Sequence, residues 1–138
     1  MSKIFLDTNI LVYAFDPDTP KKRDISRQIL RKLNESRVGV VSTQVIQEFF
    51  SIATKKLRIA PLLAKNILSD FENLEIVVID FEIIKDAIDC SILNQISFWD
   101  ALIVTAAESA KCEKVLTEDM NHHQIIRGVR IENPYLES

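Results

Sequence analysis

Asp7 follows the apolar run Ile4-Phe5-Leu6 and precedes Thr8, Asn9 and a second apolar run, Ile10-Leu11-Val12. One carboxylate, one hydroxyl and one amide thus lie between two segments that bury. Turn and capping duty accounts for such a triplet as well as chemistry does, since Asp and Asn favour both roles. Asp100 is more informative, because every residue from Phe98 to Ala107 except Asp100 and Thr105 is apolar. A helix apolar on most of its circumference is buried, and an isolated carboxylate in it costs several kcal/mol unless it is paired, hydrogen-bonded or metal-bound. Ser97-Phe98-Trp99-Asp100 also has capping-box spacing, a role compatible with ligation. Glu48 sits at the border of the stripe formed by Val45, Phe49 and Ile52, where an exposed glutamate is the ordinary explanation. Asp119, with Glu118 as a competing choice, follows the apolar segment Val115-Leu116 much as Asp7 follows Leu6.

If Asp7, Glu48, Asp100 and Asp119 meet, they cannot all stay ionised within a few ångströms of one another without a cation. An all-oxygen donor set with no Cys or His at zinc spacing favours Mg²⁺ or Mn²⁺. Such a site suits phosphodiester hydrolysis, in which a metal activates water, orients the phosphate and neutralises charge on its oxygens. Thr8, Asn9 and Thr117 are then the supporting polar residues.

The elements that must bring these groups together read as alternating strands and helices. Ile4–Leu6 is a short buried strand, and Asn9 opens a helix through Tyr13. Asp16-Pro17-Asp18-Thr19-Pro20 is a loop, because two prolines within it forbid a regular element. Residues 21–34 form an amphipathic helix, and residues 38–41 a second strand. Ser42 and Thr43 cap a helix to about Arg58, and Pro61 opens another to about Asn73. Residues 76–79 read as a third buried strand, and Asp80 caps a helix to about Asn94. Ser97 opens the helix to Lys111, followed by a fourth strand at 114–116. A fifth strand is expected at 129–131, near the edge. With no hairpin signal, this alternation implies an α/β fold: a parallel sheet of about five strands between helices, in a single domain over residues 1–138. Asp7 and Asp119 would share the carboxyl edge of that sheet, where ligands bind in such folds.

Composition fits a compact globular chain: 47% of its 138 residues are hydrophobic and only two are glycine. Gly39 and Gly128 cannot make a phosphate loop, which excludes P-loop ATP use. Cys90 and Cys112 both read as buried thiols in helical segments, with a disulfide between them as the alternative. With no leader and no membrane-length apolar run, the expected location is the cytoplasm, without membrane partners. The net charge of −3 decides little, since site carboxylates could supply it. Basic residues crowd 21–32 and 55–58, where they form either solvated faces or an RNA grip. The pair His122-His123 lies on a polar loop, solvated or capping, and nothing completes a nucleophilic triad around it.

Leu6-Asp7-Thr8-Asn9-Ile10-Leu11, Gln47-Glu48, Phe98-Trp99-Asp100-Ala101-Leu102-Ile103, Thr117-Glu118-Asp119 and Asn133-Pro134 occur in an order that resembles PIN-domain ribonucleases, and within them the VapC-type toxins of toxin–antitoxin pairs. The resemblance spans essentially the whole chain. It implies a PIN-like three-layer sandwich and a Mg²⁺/Mn²⁺ site that cleaves RNA to a 5′-phosphate and a 3′-hydroxyl. Asp7, Glu48 and Asp100 match the family's best-defined acids and Asp119 the more variable fourth. Thr8 or Asn9, with Thr117, match supporting positions. A homodimer and an antitoxin partner whose tail enters the site are implied as well. Relatives often carry glycine where this chain has His123. An RNA-processing PIN nuclease without antitoxin, or a non-catalytic PIN-like module that docks a basic peptide, are the competing readings. A phosphatase of the haloacid-dehalogenase type needs a second Asp two residues after the first, where this chain has Asn9.

Overall fold

The computed structural model describes residues 2–136; Met1, Glu137 and Ser138, part of the domain expected over 1–138, lie outside the described residues. Strand β1 (Lys3–Leu6) leads into helix α1 (Thr8–Tyr13), then α2 (Pro20–Ser36), β2 (Gly39–Ser42), α3 (Thr43–Lys55) and α4 (Pro61–Leu68). A 3-10 turn (Ser69–Phe71) precedes β3 (Glu75–Val77), which is followed by α5 (Phe81–Asn94), α6 (Phe98–Ser109), β4 (Cys112–Leu116), β5 (Ile125–Ile126) and β6 (Val129–Glu132).

The sheet has six strands in the order β3-β2-β1-β4-β6-β5. Every pairing is parallel except β5 with β6. The chain therefore builds outward from β1 through β2 to β3, then returns to the other side of β1 as β4. That reversal, between β1 and β4, is the switch point at which open α/β sheets bind ligands.

Local sequence explains most boundaries. Asp7 caps α1 by accepting from the Thr8 amide, Ser42 caps α3, Asp80 caps α5 and Ser97 caps α6. Proline occupies the first turn of α2 and of α4, where its missing N–H costs nothing. Helix α6 is buried from Ala101 to Ala107 and packs on β2, β4 and β6, with α5 against its outer side. Phe49 of α3 meets Phe15 and Phe71 edge-on at 5.8 and 5.4 Å, which closes the core beneath α1, α3 and the 3-10 turn.

Gly39 opens β2 in a tight space: a Cβ there would lie 2.5 Å from Leu74 Cδ2 and 3.2 Å from Leu33 Cβ, both side chains being buried. Gly39→Ala should therefore cost about 1–2 kcal/mol through overpacking, read as a lower urea midpoint at unchanged slope.

Four expectations need correction. The sheet is not purely parallel, because β5 and β6 form a hairpin. Its two-residue turn, Arg127-Gly128, has φ of +51° and +78°, the paired left-handed geometry that suits hairpins, and β5 is too short for an alternation pattern to show. The third strand is not buried: β3 pairs only with β2 at the sheet edge, which leaves Ile76 and nearby Val78 exposed. The helix after Pro61 stops at Leu68 and tightens into the 3-10 turn instead of reaching Asn73. Cys112 opens β4 and is not helical; burial pushes its thiol up to about 12, while Cys90 lies buried in α5 and both thiols are free. Among the described residues no single helix is long and apolar enough to cross a membrane.

Candidate active site

At the carboxyl ends of β1 and β4 an open cleft of about 390 Å³ is lined by Asp7, Thr8, Asn9, Glu48 and Asp119, among others. Asp7 is its buried floor, only 6% exposed. Its Oδ1 accepts from the Thr8 amide at 2.7 Å and its Oδ2 from the Thr117 hydroxyl at 2.7 Å. The Thr117 hydroxyl also accepts from the Asp119 amide at 3.1 Å and from Asn9 Nδ2 at 3.4 Å. Asn9 Nδ2 donates to Asp119 Oδ2 at 3.0 Å, and the Thr8 hydroxyl to Glu48 Oε1 at 3.2 Å. Six of the seven candidate residues, Asp7, Thr8, Asn9, Glu48, Thr117 and Asp119, thus share one network of direct hydrogen bonds drawn from three parts of the chain.

Asp100 is the seventh, and it joins differently. It is half-buried at the start of α6, its amide donates to Ser97 Oγ at 3.0 Å, and it is not among the residues lining the cleft. Burial raises its carboxyl above the usual range against the hydrogen bond with Ser97, and the charge of Asp119 adds to the rise. The carboxyl of Asp7 is pushed up to about 6, chiefly by burial and further by the charges of Asp119 and Glu48, against the hydrogen bonds from Thr117 and Thr8. Among the described residues, none of these four acids makes an ion pair.

A family model for the PIN domain matches residues 4–127. The chain belongs to the PIN-domain family. No curated protein matches it. Among solved structures, this PIN domain resembles a chain in a toxin–antitoxin complex from Klebsiella pneumoniae, with 22% identity over 97% of this chain and 98% of that one and a TM-score of 0.68. It is similar to a chain of DNA-bound VapBC from Salmonella typhimurium, with 21% identity over 97% and 99% of the two chains and a TM-score of 0.69. It is similar also to VapC20 from Mycobacterium tuberculosis, a sarcin-ricin loop cleaving toxin, with 14% identity over 82% and 87% and a TM-score of 0.65. At these identities the likeness is one of fold.

In this PIN domain the structure separates Glu118 from Asp119. Both line the cleft, but Glu118 is bonded to Lys22, 2.8 Å from its Oε2, and to the Tyr13 hydroxyl, which donates to its Oε1, whereas Asp119 is bonded to Asn9 and Thr117. The two basic segments also part company. Arg27 Nε donates to the Ala14 carbonyl at 2.8 Å and Lys22 is engaged with Glu118, whereas Lys55 and Lys56 line the cleft. His122 Nδ1 accepts from the Asn133 amide at 2.9 Å, an end-tying role. His123 has φ +70°, a left-handed conformation that glycine adopts most readily.

Asp16, Tyr13 and Ser51, which no sequence pattern marks as site residues, also line the cleft. Asp16 is buried, and its Oδ1 accepts from the Asp18 amide at 3.0 Å. It lies in a proline-flanked loop, where an Asp carries no signal beyond turn formation.

Proposed function

We propose that this PIN domain is a Mg²⁺- or Mn²⁺-dependent endoribonuclease, acting as the toxin of a toxin–antitoxin pair. The observation that carries the reading is the meeting of Asp7, Glu48 and Asp119 in the cleft at the sheet's switch point, with no cation paired to any of them or to Asp100 among the described residues.

The donor chemistry fits a hard divalent cation. Every candidate ligand is an oxygen, and Asn9 Oδ1 is buried with no hydrogen-bond partner. Among the described residues no three acidic, imidazole or thiol groups stand together as a ready-made cage. Mg²⁺ does not require one, since it keeps several waters and is usually bound through one or two carboxylates plus substrate phosphate. Asp7, Glu48, Asp100 and Asp119 would hold it, and when bound it supplies an activated water and charge neutralisation at the scissile phosphate.

The chain's own residues do the rest. Thr117 and the Thr8 amide fix both oxygens of Asp7, so that carboxylate cannot swing away. Thr8 aims Glu48, and Asn9 aims Asp119. Lys55 and Lys56, at the end of α3, grip the RNA backbone across the cleft. Phosphate contacts of this kind give affinity and not sequence choice. Replacing both lysines with alanine should raise KM several-fold, leave kcat within about twofold, and lower the slope of log affinity against log salt by about 1–2; filter binding over a salt series checks this.

A homodimer in the cytoplasm, silenced by an antitoxin, completes the proposal. The solved relatives with antitoxin in the complex support that partner, and exposed Phe81, Ile92, Leu93 and Trp99 supply apolar surface for a second copy. The test is cleavage of a panel of structured RNAs by purified, partner-free protein with Mg²⁺ or Mn²⁺, with chelator, and with Asp7→Asn prepared identically. Cleavage requiring both metal and Asp7 is the expected result. Folded protein that binds RNA but cuts none would establish a non-catalytic module instead.

A further inference from the structure

Beside the acids, the cleft rim carries a second polar junction, built on Lys22. Its ammonium lies 2.8 Å from Glu118 Oε2 and 3.4 Å from the Tyr13 hydroxyl oxygen. It also sits over two rings, 4.8 Å from the Tyr13 centroid and 5.5 Å from that of Tyr135. The rings meet edge-on at 5.3 Å, and the Tyr135 hydroxyl shares a 2.6 Å hydrogen bond with the Ser26 hydroxyl. Helix α1, helix α2, the loop after β4 and the C-terminal stretch therefore converge on one ammonium.

Fold stability does not account for so specific an arrangement. The two charged side chains are 39% and 22% exposed, and such half-exposed pairs contribute little. What the junction controls is a position. Glu118 stands between Thr117 and Asp119, whose amides donate to the Glu132 carbonyl and to Thr117 Oγ1. The bonds from Lys22 and Tyr13 to the Glu118 carboxylate add a constraint on the residue between them.

Resting on the ribonuclease reading, we infer that Lys22 and Tyr13 clamp Glu118 and thereby set Asp119 against Asn9, which makes them positioning residues for the cleavage site and takes Lys22 out of the RNA grip. Glu118 raises the Lys22 pKa, and burial followed by Glu118 raises that of Tyr13, so both stay protonated as donors. Lys22 held in this way has its ammonium committed before any phosphate arrives.

The gripping and clamping roles give opposite signs in one variant. Glu118→Gln would release Lys22: a gripping lysine then binds RNA more tightly and KM falls, whereas a clamp is broken and kcat falls. The expected result is that Lys22→Met, Glu118→Gln and Tyr13→Phe each lower kcat about tenfold with KM within twofold, in line with losses at residues that orient ligands. The double variant Lys22→Met/Glu118→Gln should be no worse than either single change. A higher KM and flatter salt dependence in Lys22→Met, with unchanged or lower KM in Glu118→Gln, would overturn the inference. So would wild-type kcat in folded Tyr13→Phe and Lys22→Met.

A second readout does not need catalysis. The side-chain amide resonances of Asn9, which bonds Asp119, should move in all three variants in ¹⁵N-labelled protein. If wild-type protein cuts no RNA, the ribonuclease reading fails and these resonances alone decide the clamp; unmoved resonances refute it. Should Lys22→Met not fold, Tyr13→Phe, a nearly isosteric change that removes the donor to Glu118 and the acceptor for Lys22, carries the test.

Discussion

Asp7→Asn should reduce metal-dependent RNA cleavage by at least a thousandfold and, in the same metal-free protein, raise the melting temperature at pH 7. The two effects share one cause. Asp7 is buried on the cleft floor with its carboxyl pushed up to about 6 by that burial and by the charges of Asp119 and Glu48. Between the ordinary value of 3.8 and about 6, the folded protein keeps a proton that the unfolded chain has released. Stability therefore falls as pH rises through that window and stays low above it. The full cost of the charge at neutral pH is at most about 3 kcal/mol, from 1.36 kcal/mol per unit. Asparagine removes the charge and still caps α1, since Asn serves at that position as well as Asp. It also turns a donor toward Thr117 Oγ1, which already accepts twice, so part of the gain is lost. A net gain of about 1–2 kcal/mol, or a few degrees, remains. Saturating Mg²⁺ or Mn²⁺ should stabilise wild type and not the variant, which reverses the order of melting. Calorimetry with chelator and with metal checks both halves. A variant that cleaves normally, or that melts well below wild type without metal, would make Asp7 a structural cap and nothing more.

Why Asp7 and Asp100 could be singled out from sequence, and Asp16 could not, follows from what each neighbourhood states. Asp100 interrupts an otherwise apolar helix start, and the structure buries that helix from Ala101 onward. Asp7 ends an apolar strand, and strand ends in parallel sheets face ligands. Asp16 sits next to a proline in a loop, and its burial at the cleft is a tertiary fact with no local trace. The choice between Glu118 and Asp119 had the same character. Both follow β4, and what separates them is Lys22, distant in sequence and brought there by the packing of α2 beside α1. The parallel core was legible because βαβ units alternate period and composition. The terminal hairpin was not, because a two-residue strand has no period and its turn depends on Arg127 taking a left-handed conformation. The edge position of β3 was hidden for a related reason: an apolar run reads alike whether one or both of its faces are covered.

Thr117 is where the largest effect from an uncharged side chain is expected. Its hydroxyl is fully buried and has three partners: it donates to Asp7 Oδ2 and accepts from the Asp119 amide and Asn9 Nδ2. Valine matches its shape, so Thr117→Val leaves no cavity and tests the oxygen alone. Removing that oxygen strips one donor from Asp7 and one acceptor from the Asp119 amide, at a cost of about 1–3 kcal/mol for the groups left unpaired. Catalysis should fall about tenfold to a hundredfold, the usual result of freeing a group that orients a ligand. The sign of the pH effect is also fixed. The Thr117 hydrogen bond lowers the Asp7 pKa, so without it that carboxyl rises beyond about 6. The acid limb of the kcat/KM profile should therefore move to higher pH, and the deficit should be greatest near pH 6 and smallest under alkaline conditions. Thr117→Ser keeps the oxygen and should recover most of the rate. A pH-independent loss shared equally by the serine variant would place the effect in packing of the β-branched side chain. Recovery by serine with a restored acid limb would show that one buried hydroxyl holds Asp7 in the charged, oriented form that chemistry at this edge of the sheet requires.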